Sequence, residues 1–274
     1  MILQPNAKIN LGLNVVRKRP DGYHDLETVF YPIPLCDRLE VSLSERVGEE
    51  TYFLHLDGHT LDSSADDNLV VKALKLLQEE GYKLGPVDIN LSKVIPSGAG
   101  LGGGSSDASF MLKALNELFE LNISVKKLEF YAAKLGADCA IFIQNKPVYA
   151  EGIGNIFKDI ELDLTGYYLV LIKPDVFIST KAAFSQIKPK YPEISLLDII
   201  KRPVEDWKYL MHNDFEDSVF PQFPEIAALK QKLYDCGAIY ASMSGSGSSL
   251  FGFFKENVDL NNAFPSCFYA CLKL

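Results

Sequence analysis

Between Gly98 and Gly104 the chain reads "GAGLGGG", five glycines in seven positions, one residue after the strand-like run "VDINLSKVIP" and directly before "SSDASFMLKALNEL". Glycine loses more conformational freedom on folding than any other residue, so a run this dense needs a reason. A strand that feeds such a loop and then a helix leaves several backbone N–H groups and the positive end of the helix dipole facing outward, which suits an anion. Ser105 and Ser106 add hydroxyls, and Asp107 is placed to cap the first helical turn. A mobile linker would not sit wedged between an apolar strand and an apolar helix. The stretch reads as a phosphate loop.

Three familiar loops fail to fit it. Gly98, Gly100 and Gly103 match G-x-G-x-x-G, but a dinucleotide fold needs a strand with an acidic residue after the helix. Here the next element, "VKKLEFYAAKLG", is a second helix. No Lys-Ser or Lys-Thr closes the loop as a Walker A motif requires, and the glycine loop of protein kinases joins two strands.

Residues 6 to 16 alternate, with Asn6, Lys8, Asn10, Gly12 and Asn14 on one face and Ala7, Ile9, Leu11, Leu13 and Val15 on the other. That period predicts a half-buried strand. "RPDGYH" follows as a turn, and "LETVFYPI" completes a hairpin; "DRLEVSLSE" and "TYFLHLD" read as further strands. "SADDNLVVKALKLLQEEGY" predicts a helix capped by Asp66 and Asp67 and stopped by Gly81. "DCAIFIQ" is short and strand-like. The polar "FKDIELDLTG" marks a domain boundary ahead of the strand "YYLVLIKP". Helices are expected near 180–187, 195–200, 205–219 and 224–236, and the strands "AIYASMS" and "SLFGFF" flank a second loop, "SGSGSS", at 244–249. This order implies α+β layering in two domains.

Composition removes several function classes. With 27 basic against 36 acidic residues the net charge is -9, a poor match to nucleic acid, whose phosphates dominate such binding. The five cysteines contain no C-x-x-C pair, and the four histidines form no ligand cluster by spacing. His55 and His59 are four apart but lie in a strand followed by a turn, so no metal site is expected there. Reduced thiols, an N-terminus "MILQPNAKIN" without a basic region and apolar run, and the lack of a membrane-length apolar stretch predict a cytoplasmic protein with no membrane partner.

"PSGAGLGGGSSDA" resembles the phosphate loop of the GHMP kinases, the superfamily of galactokinase and of homoserine, mevalonate and phosphomevalonate kinases. "PNAKINLGLNV" and "SMSGSGSSLF" resemble that superfamily's other two signatures and occur in its order. "AKINLGLNVVRKRPDGYHDLETVF" is similar to the branch that acts on a cytidine-diphosphate methylerythritol. The resemblance covers nearly the whole chain. It implies an α+β, two-domain GHMP kinase fold: an N-terminal ATP-binding α/β domain over 1–160 and a C-terminal ferredoxin-like α+β substrate domain over 161–274. The implied reaction moves the γ-phosphoryl group of ATP to a hydroxyl of a small-molecule substrate. Magnesium follows from that chemistry; the sequence holds no dedicated metal cage. A GHMP kinase for mevalonate, homoserine or a sugar, and a catalytically inactive nucleotide-binding module, stand as alternatives, and monomer and homodimer are both compatible.

The resemblance also assigns residues. Asp138, in "KLGADCAIF", is on local sequence equally a turn aspartate and a base; the resemblance makes it the catalytic carboxylate, with Ala140 standing where relatives often have proline. Lys8 fits an exposed strand face, yet the matching lysine meets the catalytic aspartate and the reacting hydroxyl, where a cation favours the ionised acid and the developing alkoxide. Asn10 orients the same group. Lys93 shares a strand face with Val87, Ile89 and Leu91, awkward for an amine unless it snorkels at an edge; the resemblance puts it at the nucleotide with Asn68. Pro96, Ser97, Gly98, Ala99, Gly100 and Leu101, then Gly102, Gly103, Gly104, Ser105 and Ser106, line the ATP phosphates. Tyr23, His24 and Phe184 read locally as a strand aromatic, a turn histidine and a core position; the resemblance makes them the cytosine site, with Thr180 near the diphosphate. Gly245 and Gly247 belong to a loop that is either substrate-side or a structural turn.

Overall fold

The structure, a computed structural model, describes residues 1–46, 50–58 and 64–274; His59 lies outside them. In chain order the elements are β1 (Ile2–Leu3), β2 (Asn6–Lys18), β3 (His24–Cys36), β4 (Arg38–Leu43), β5 (Tyr52–Gly58), α1 (Leu69–Glu79), β6 (Val87–Lys93), α2 (Gly103–Leu118), α3 (Val125–Leu135) and α4 (Ile141–Gln144). They continue with β7 (Val148–Glu151), β8 (Ile156–Asp159), β9 (Tyr168–Pro174), α5 (Thr180–Phe184), α6 (Leu196–Ile199), α7 (Val204–Leu210), α8 (Asp214–Gln222), α9 (Pro224–Asp235), β10 (Tyr240–Met243), β11 (Leu250–Phe254) and β12 (Cys267–Lys273). Among the described residues no helix is long and apolar enough to cross a membrane. The chain forms two compact units: Met1–Ala7, Leu35–Ser97 and Gly102–Lys146 make the first, and Lys8–Pro34, Gly98–Leu101 and Pro147–Leu274 the second.

The first unit holds a sheet of order β1-β4-β6-β5, with β4 antiparallel and β5 parallel to β6. Val87, Ile89 and Leu91 are buried at every second position of β6, as the period of two requires. Helix α1 turns Val70, Val71, Leu74 and Leu77 inward and packs on α2, which buries Met111, Leu112 and Leu115. Two predicted caps differ. Asp66 and Asp67 lie in a preceding 3-10 turn, and Asn68 caps α1, its Oδ1 accepting from Val70 N at 3.0 Å. Asp107 does not cap α2, because it sits beyond the first turn; the capping position belongs to Gly102, which has no side chain to offer. "DCAIFIQ" is a turn running into α4, closed by Asn145 at φ 55 in the left-handed region. A four-residue apolar run has too few periods to tell strand from helix.

The second unit carries two sheets, β2-β3-β7-β8 and β10-β11-β9-β12. Every neighbouring pair in the latter is antiparallel. Counting only its own strands, its order is 2-3-1-4, the ferredoxin-like arrangement, with α9 as a crossover helix. Strand β2 is buried on both faces from Asn6 to Val16, so the expectation of a half-buried strand fails: its polar face is covered too. The helix expected over 205–219 is broken into α7 and α8, because Asn213 must leave the helix to cap α8, its Oδ1 accepting from Phe215 N at 3.0 Å.

Trp207, the single tryptophan, is fully buried, donates Nε1–H to the Ile199 and Arg202 carbonyls at 3.1 Å each, and packs edge-on to Tyr240 and Phe253. Trp207→Ala is expected to lower unfolding stability by about 3–5 kcal/mol in urea titrations followed by circular dichroism.

Candidate active site

In the first unit β6 ends at Lys93 and α2 begins at Gly103, with Pro96 and Ser97 leading out of the strand. The first α2 backbone bond from this region runs from Ser106 N to Gly102 O at 2.8 Å, so the amides of Gly103, Gly104 and Ser105 precede the intrahelical ladder. With no side-chain cap over them they are donors for an anion. Gly103 is needed for packing, since a Cβ there would stand 2.9 Å from Ile95 Cγ2. The Ser106 hydroxyl is buried and has no hydrogen-bond partner among the described residues.

Lys93 neither snorkels nor lies free. Its ammonium donates to Asp37 and, at 2.5 Å, to Asp107 Oδ2, and all three side chains are buried. Asp37 Oδ1 also accepts from Val94 N at 2.6 Å and Ile95 N at 2.8 Å. One carboxylate thus grips the strand exit and the other rides on α2, with the lysine joining them. Burial pulls the Lys93 pKa down, but Asp107 and Asp37 together push it further up, so the net shift is upward. Burial also raises the Asp107 carboxyl, against the opposing pull of Lys93.

Asp138 is half-buried in the turn 137–140, on the way into α4. The turn is tied to α2 by Ser109 Oγ, which donates to Cys139 O at 2.6 Å.

In the second unit Lys8 is 2% exposed. Its Nζ donates to Asn10 Oδ1 at 2.8 Å and to the Gly100 carbonyl at 3.1 Å, and lies 4.9 Å from the Phe30 ring centroid. Asn10 Nδ2 donates to Thr28 Oγ1 at 3.0 Å, and Thr28 in turn donates to Gly12 O at 2.6 Å. Ser244 completes the cluster: its hydroxyl donates to the same Gly100 carbonyl at 2.9 Å and accepts from Asn10 N at 3.3 Å. Gly100 has φ +74, and a Cβ there would overlap the Ser244 carbonyl, so only glycine fits. Ala99 O accepts from Ser249 N at 3.3 Å, and Leu101 O from Lys8 N at 2.9 Å. The "SGSGSS" loop is thereby a bracket on the first half of the glycine loop.

That bracket is itself held by residues that sequence reasoning missed. Asn213 Nδ2 donates to Met243 O at 2.7 Å and Gly245 O at 2.9 Å. Buried Glu216 accepts from Met243 N at 2.8 Å, Ser242 Oγ at 3.2 Å and Lys230 Nζ at 2.5 Å. The signal available was "HNDFEDSVF", too polar for a helix with so many covered positions. His212, Asp214 and Asp217 gather within 4.8 Å, but Asp214 accepts from Val15 N and Asp217 from His212, so protein groups already engage them.

Of the residues assigned to the cytosine site, two meet. The His24 and Phe184 rings stack at 4.7 Å and 20°, and Phe184 meets Phe215 edge-on at 4.8 Å. Tyr23 is 63% exposed, and Thr180 is exposed at the start of α5, where Ser179 is the cap. Burial, and then Lys18 nearby, lower the His24 pKa from its ordinary value of 6.5, which keeps the stacked ring neutral at pH 7. Gly247 N donates to Ser244 O at 3.0 Å, inside the bracket turn.

The family described as GHMP kinases N terminal domain matches residues 68–146, and that described as GHMP kinases C terminal matches 197–266. The chain belongs to the GHMP kinases. A relative from Bacteroides fragilis, named 4-diphosphocytidyl-2-C-methyl-D-erythritol kinase, is 60% identical over 100% of both chains. The crystal structure of a 4-(cytidine 5'-diphospho)-2C-methyl-D-erythritol kinase superposes with a TM-score of 0.84 at 31% identity, over 100% of this chain and 99% of the other. Mevalonate kinase from Methanococcus jannaschii shares the fold at a TM-score of 0.71 and 16% identity, over 100% of this chain and 98% of its own.

Lys93→Met leaves two buried carboxylates without their cation and is expected to cost about 3–5 kcal/mol of unfolding stability. For Asp107 the sign runs the other way. A carboxyl whose folded pKa is raised holds its proton in the native state after the unfolded chain has lost it, so stability falls as pH rises. The melting temperature of Asp107→Asn relative to wild type should therefore increase from pH 4 upward and level off near pH 7, where the folded carboxyl titrates at about 7.

Proposed function

We propose that the protein transfers the γ-phosphoryl group of ATP to the 2-hydroxyl of 4-diphosphocytidyl-2-C-methyl-D-erythritol, in non-mevalonate isoprenoid precursor biosynthesis. The observation that carries this reading is the 60% identity, end to end, to a relative bearing that kinase's name. The uncapped α2 terminus and the buried Lys8 supply the chemistry such a reaction asks for. Phosphoryl transfer is mainly positioning and charge stabilisation, with a base to take the hydroxyl proton.

Asp138 takes that proton as the substrate oxygen bonds to the γ-phosphorus and the bond to the ADP oxygen breaks. Lys8 stabilises the oxygen as it loses its proton, and Asn10, which holds the Lys8 ammonium, fixes its direction. Amides of Gly103, Gly104 and Ser105 receive phosphate oxygens, with Pro96 to Gly102 shaping the rest of the loop. Magnesium fits this site on the chemistry of its donors: the Ser106 hydroxyl is a buried oxygen without a partner, and a phosphate-bound divalent ion takes oxygen ligands. Bound there, it would neutralise phosphate charge. Asn68 borders the adenine, and Lys93 acts beneath the loop.

The cytosine rests at the stacked Phe184 and His24 rings, with exposed Tyr23 as the third aromatic assigned to it, and stacking of this kind is worth about 1–3 kcal/mol per base. Thr180 serves the diphosphate, and Gly245 and Gly247 keep the bracket turn tight. We place the division between the catalytic and substrate domains at 160/161, which falls between the two family matches, and the enzyme in the cytoplasm, in keeping with its five free cysteines.

A coupled ADP assay across a panel of the cytidyl substrate, mevalonate, homoserine and galactose tests the reading. Turnover with the cytidyl alcohol is expected, and turnover with another alcohol alone would reassign the substrate. Asp138→Asn is expected to keep ATP binding while losing about 10²–10⁴ in kcat. ATP binding with no ADP formed from any alcohol would make the protein a binding module.

A further inference from the structure

An asparagine amide carries an oxygen at one end and an NH2 group at the other, alike in size and opposite in hydrogen-bonding sense. For Asn10 to hold an ammonium its oxygen has to face Lys8, since an NH2 group there would meet the cation with its own positive hydrogens. What keeps the amide from turning over lies on the neighbouring strand. Nothing in the sequence pattern singles out Thr28, on β3 beside β2, yet it is 1% exposed and bonded on both sides.

The Thr28 hydroxyl has one proton, and it donates that proton to the Gly12 carbonyl at 2.6 Å. With the proton committed, the oxygen can only accept, and it accepts from Asn10 Nδ2 at 3.0 Å. The Asn10 amide is thereby set with its NH2 group towards Thr28 and its oxygen towards Lys8 Nζ, at 2.8 Å. Every donor in this chain points the same way, from the ammonium to a backbone carbonyl, and bonds aligned in that sense polarise one another. The far end is fixed too. Gly12 has φ +66, and a Cβ there would overlap the Leu196 side chain, so the accepting carbonyl stands on backbone that only glycine fits. Lys8, Asn10, Gly12 and Thr28 all lie in the second unit, and all are buried, so bulk water does not replace a lost partner.

A buried threonine on a strand is ordinarily a packing residue whose hydroxyl finds a nearby carbonyl. Thr28 differs because its hydroxyl also decides the orientation of an amide. We propose that Thr28 is a positioning residue for the phosphoryl transfer: by taking the Asn10 NH2 group it fixes which end of that amide faces Lys8, and so the direction of the ammonium. This rests on the kinase reading above, in which Lys8 stands at the reacting oxygen. Thr28 acts through Asn10 rather than on the substrate.

Three variants of the full-length protein test this. Thr28→Val keeps the shape and loses the hydroxyl, Thr28→Ser keeps the hydroxyl and loses the methyl group, and Thr28→Ala lacks both. Thr28→Val is expected to lower kcat for the cytidyl substrate by about ten- to a hundred-fold with the KM for ATP unchanged, the scale of a displaced catalytic group. Thr28→Ser should stay close to wild type. Thr28→Ala against Thr28→Ser repeats the comparison should the valine variant not fold, because these two differ by the hydroxyl alone. In an Asn10→Ala background, where no amide is left to orient, Thr28→Val should cost nothing further in kcat. An equal loss in both backgrounds, an unchanged kcat in Thr28→Val, or a serine variant as slow as the valine one would each overturn the proposal and leave the kinase reading in place. The Lys8 ammonium resonance in heteronuclear NMR spectra needs no turnover. It should move in both Thr28→Val and Asn10→Ala and hold its place in Thr28→Ser. If wild type forms no product from the cytidyl alcohol, the kinase reading fails instead, and that resonance still decides whether Thr28 directs Lys8: unmoved in Thr28→Val, it overturns the role.

Discussion

A helix that keeps its first amides open for an anion cannot use a capping side chain, so something else has to hold its end. In this protein that support is the buried Lys93 ammonium between Asp37 and Asp107. Asp37 binds the two amides that follow β6, and Asp107 stands on α2, so a single cation fixes the strand exit to the helix. A buried ion pair of this kind contributes little net stability compared with an apolar replacement of the same shape. Its value lies in direction: two short charged hydrogen bonds fix an angle that interchangeable aliphatic contacts would leave softer. Burial raises the Asp107 carboxyl, and the neighbouring Asp37 carboxylate adds to that against the pull of Lys93.

In the second unit a shared backbone carbonyl does the joining. The carbonyl of Gly100 receives both the Lys8 ammonium and the Ser244 hydroxyl, and Asn10 contacts both donors. Ser244 belongs to a turn that Asn213 and Glu216 hold through Met243 and Gly245. A buried donor left unpaired costs about 1–3 kcal/mol, so each of these bonds fixes its neighbour as well as itself. Gly100 closes the chain of dependence, because any side chain there would collide with the Ser244 backbone.

Much of this was legible from local pattern. The glycine run, the alternating first strand, the strand pair around "SGSGSS" and the helix after the loop are all periodic or turn-coded, and each forms where expected. The failures share a cause. Asp107 looks like a helix cap until Lys93, 14 positions away, is brought to it, and the partner that lysine shares with it, Asp37, is 56 positions from the lysine. Asn213 breaks a helix for partners 30 and 32 positions away. The covered polar face of β2 belongs to the same class, since alternation marks two faces and cannot say that both are buried. A short apolar run such as that of α4 carries too little period of its own.

Lys8 and Lys93 make the point most sharply. Each is a buried lysine on a strand next to the phosphate loop in sequence or space, although pattern alone fits Lys8 to an exposed strand face and makes only Lys93 an awkward amine. Their partners separate them. Lys93 is saturated by two carboxylates, its pKa is driven up, and its charge is spent inside the protein on holding two elements together. The Lys8 ammonium donates to an amide oxygen and a backbone carbonyl, which fix its direction. Burial and position on a strand are common to both lysines; the groups each donates to are what pattern cannot read.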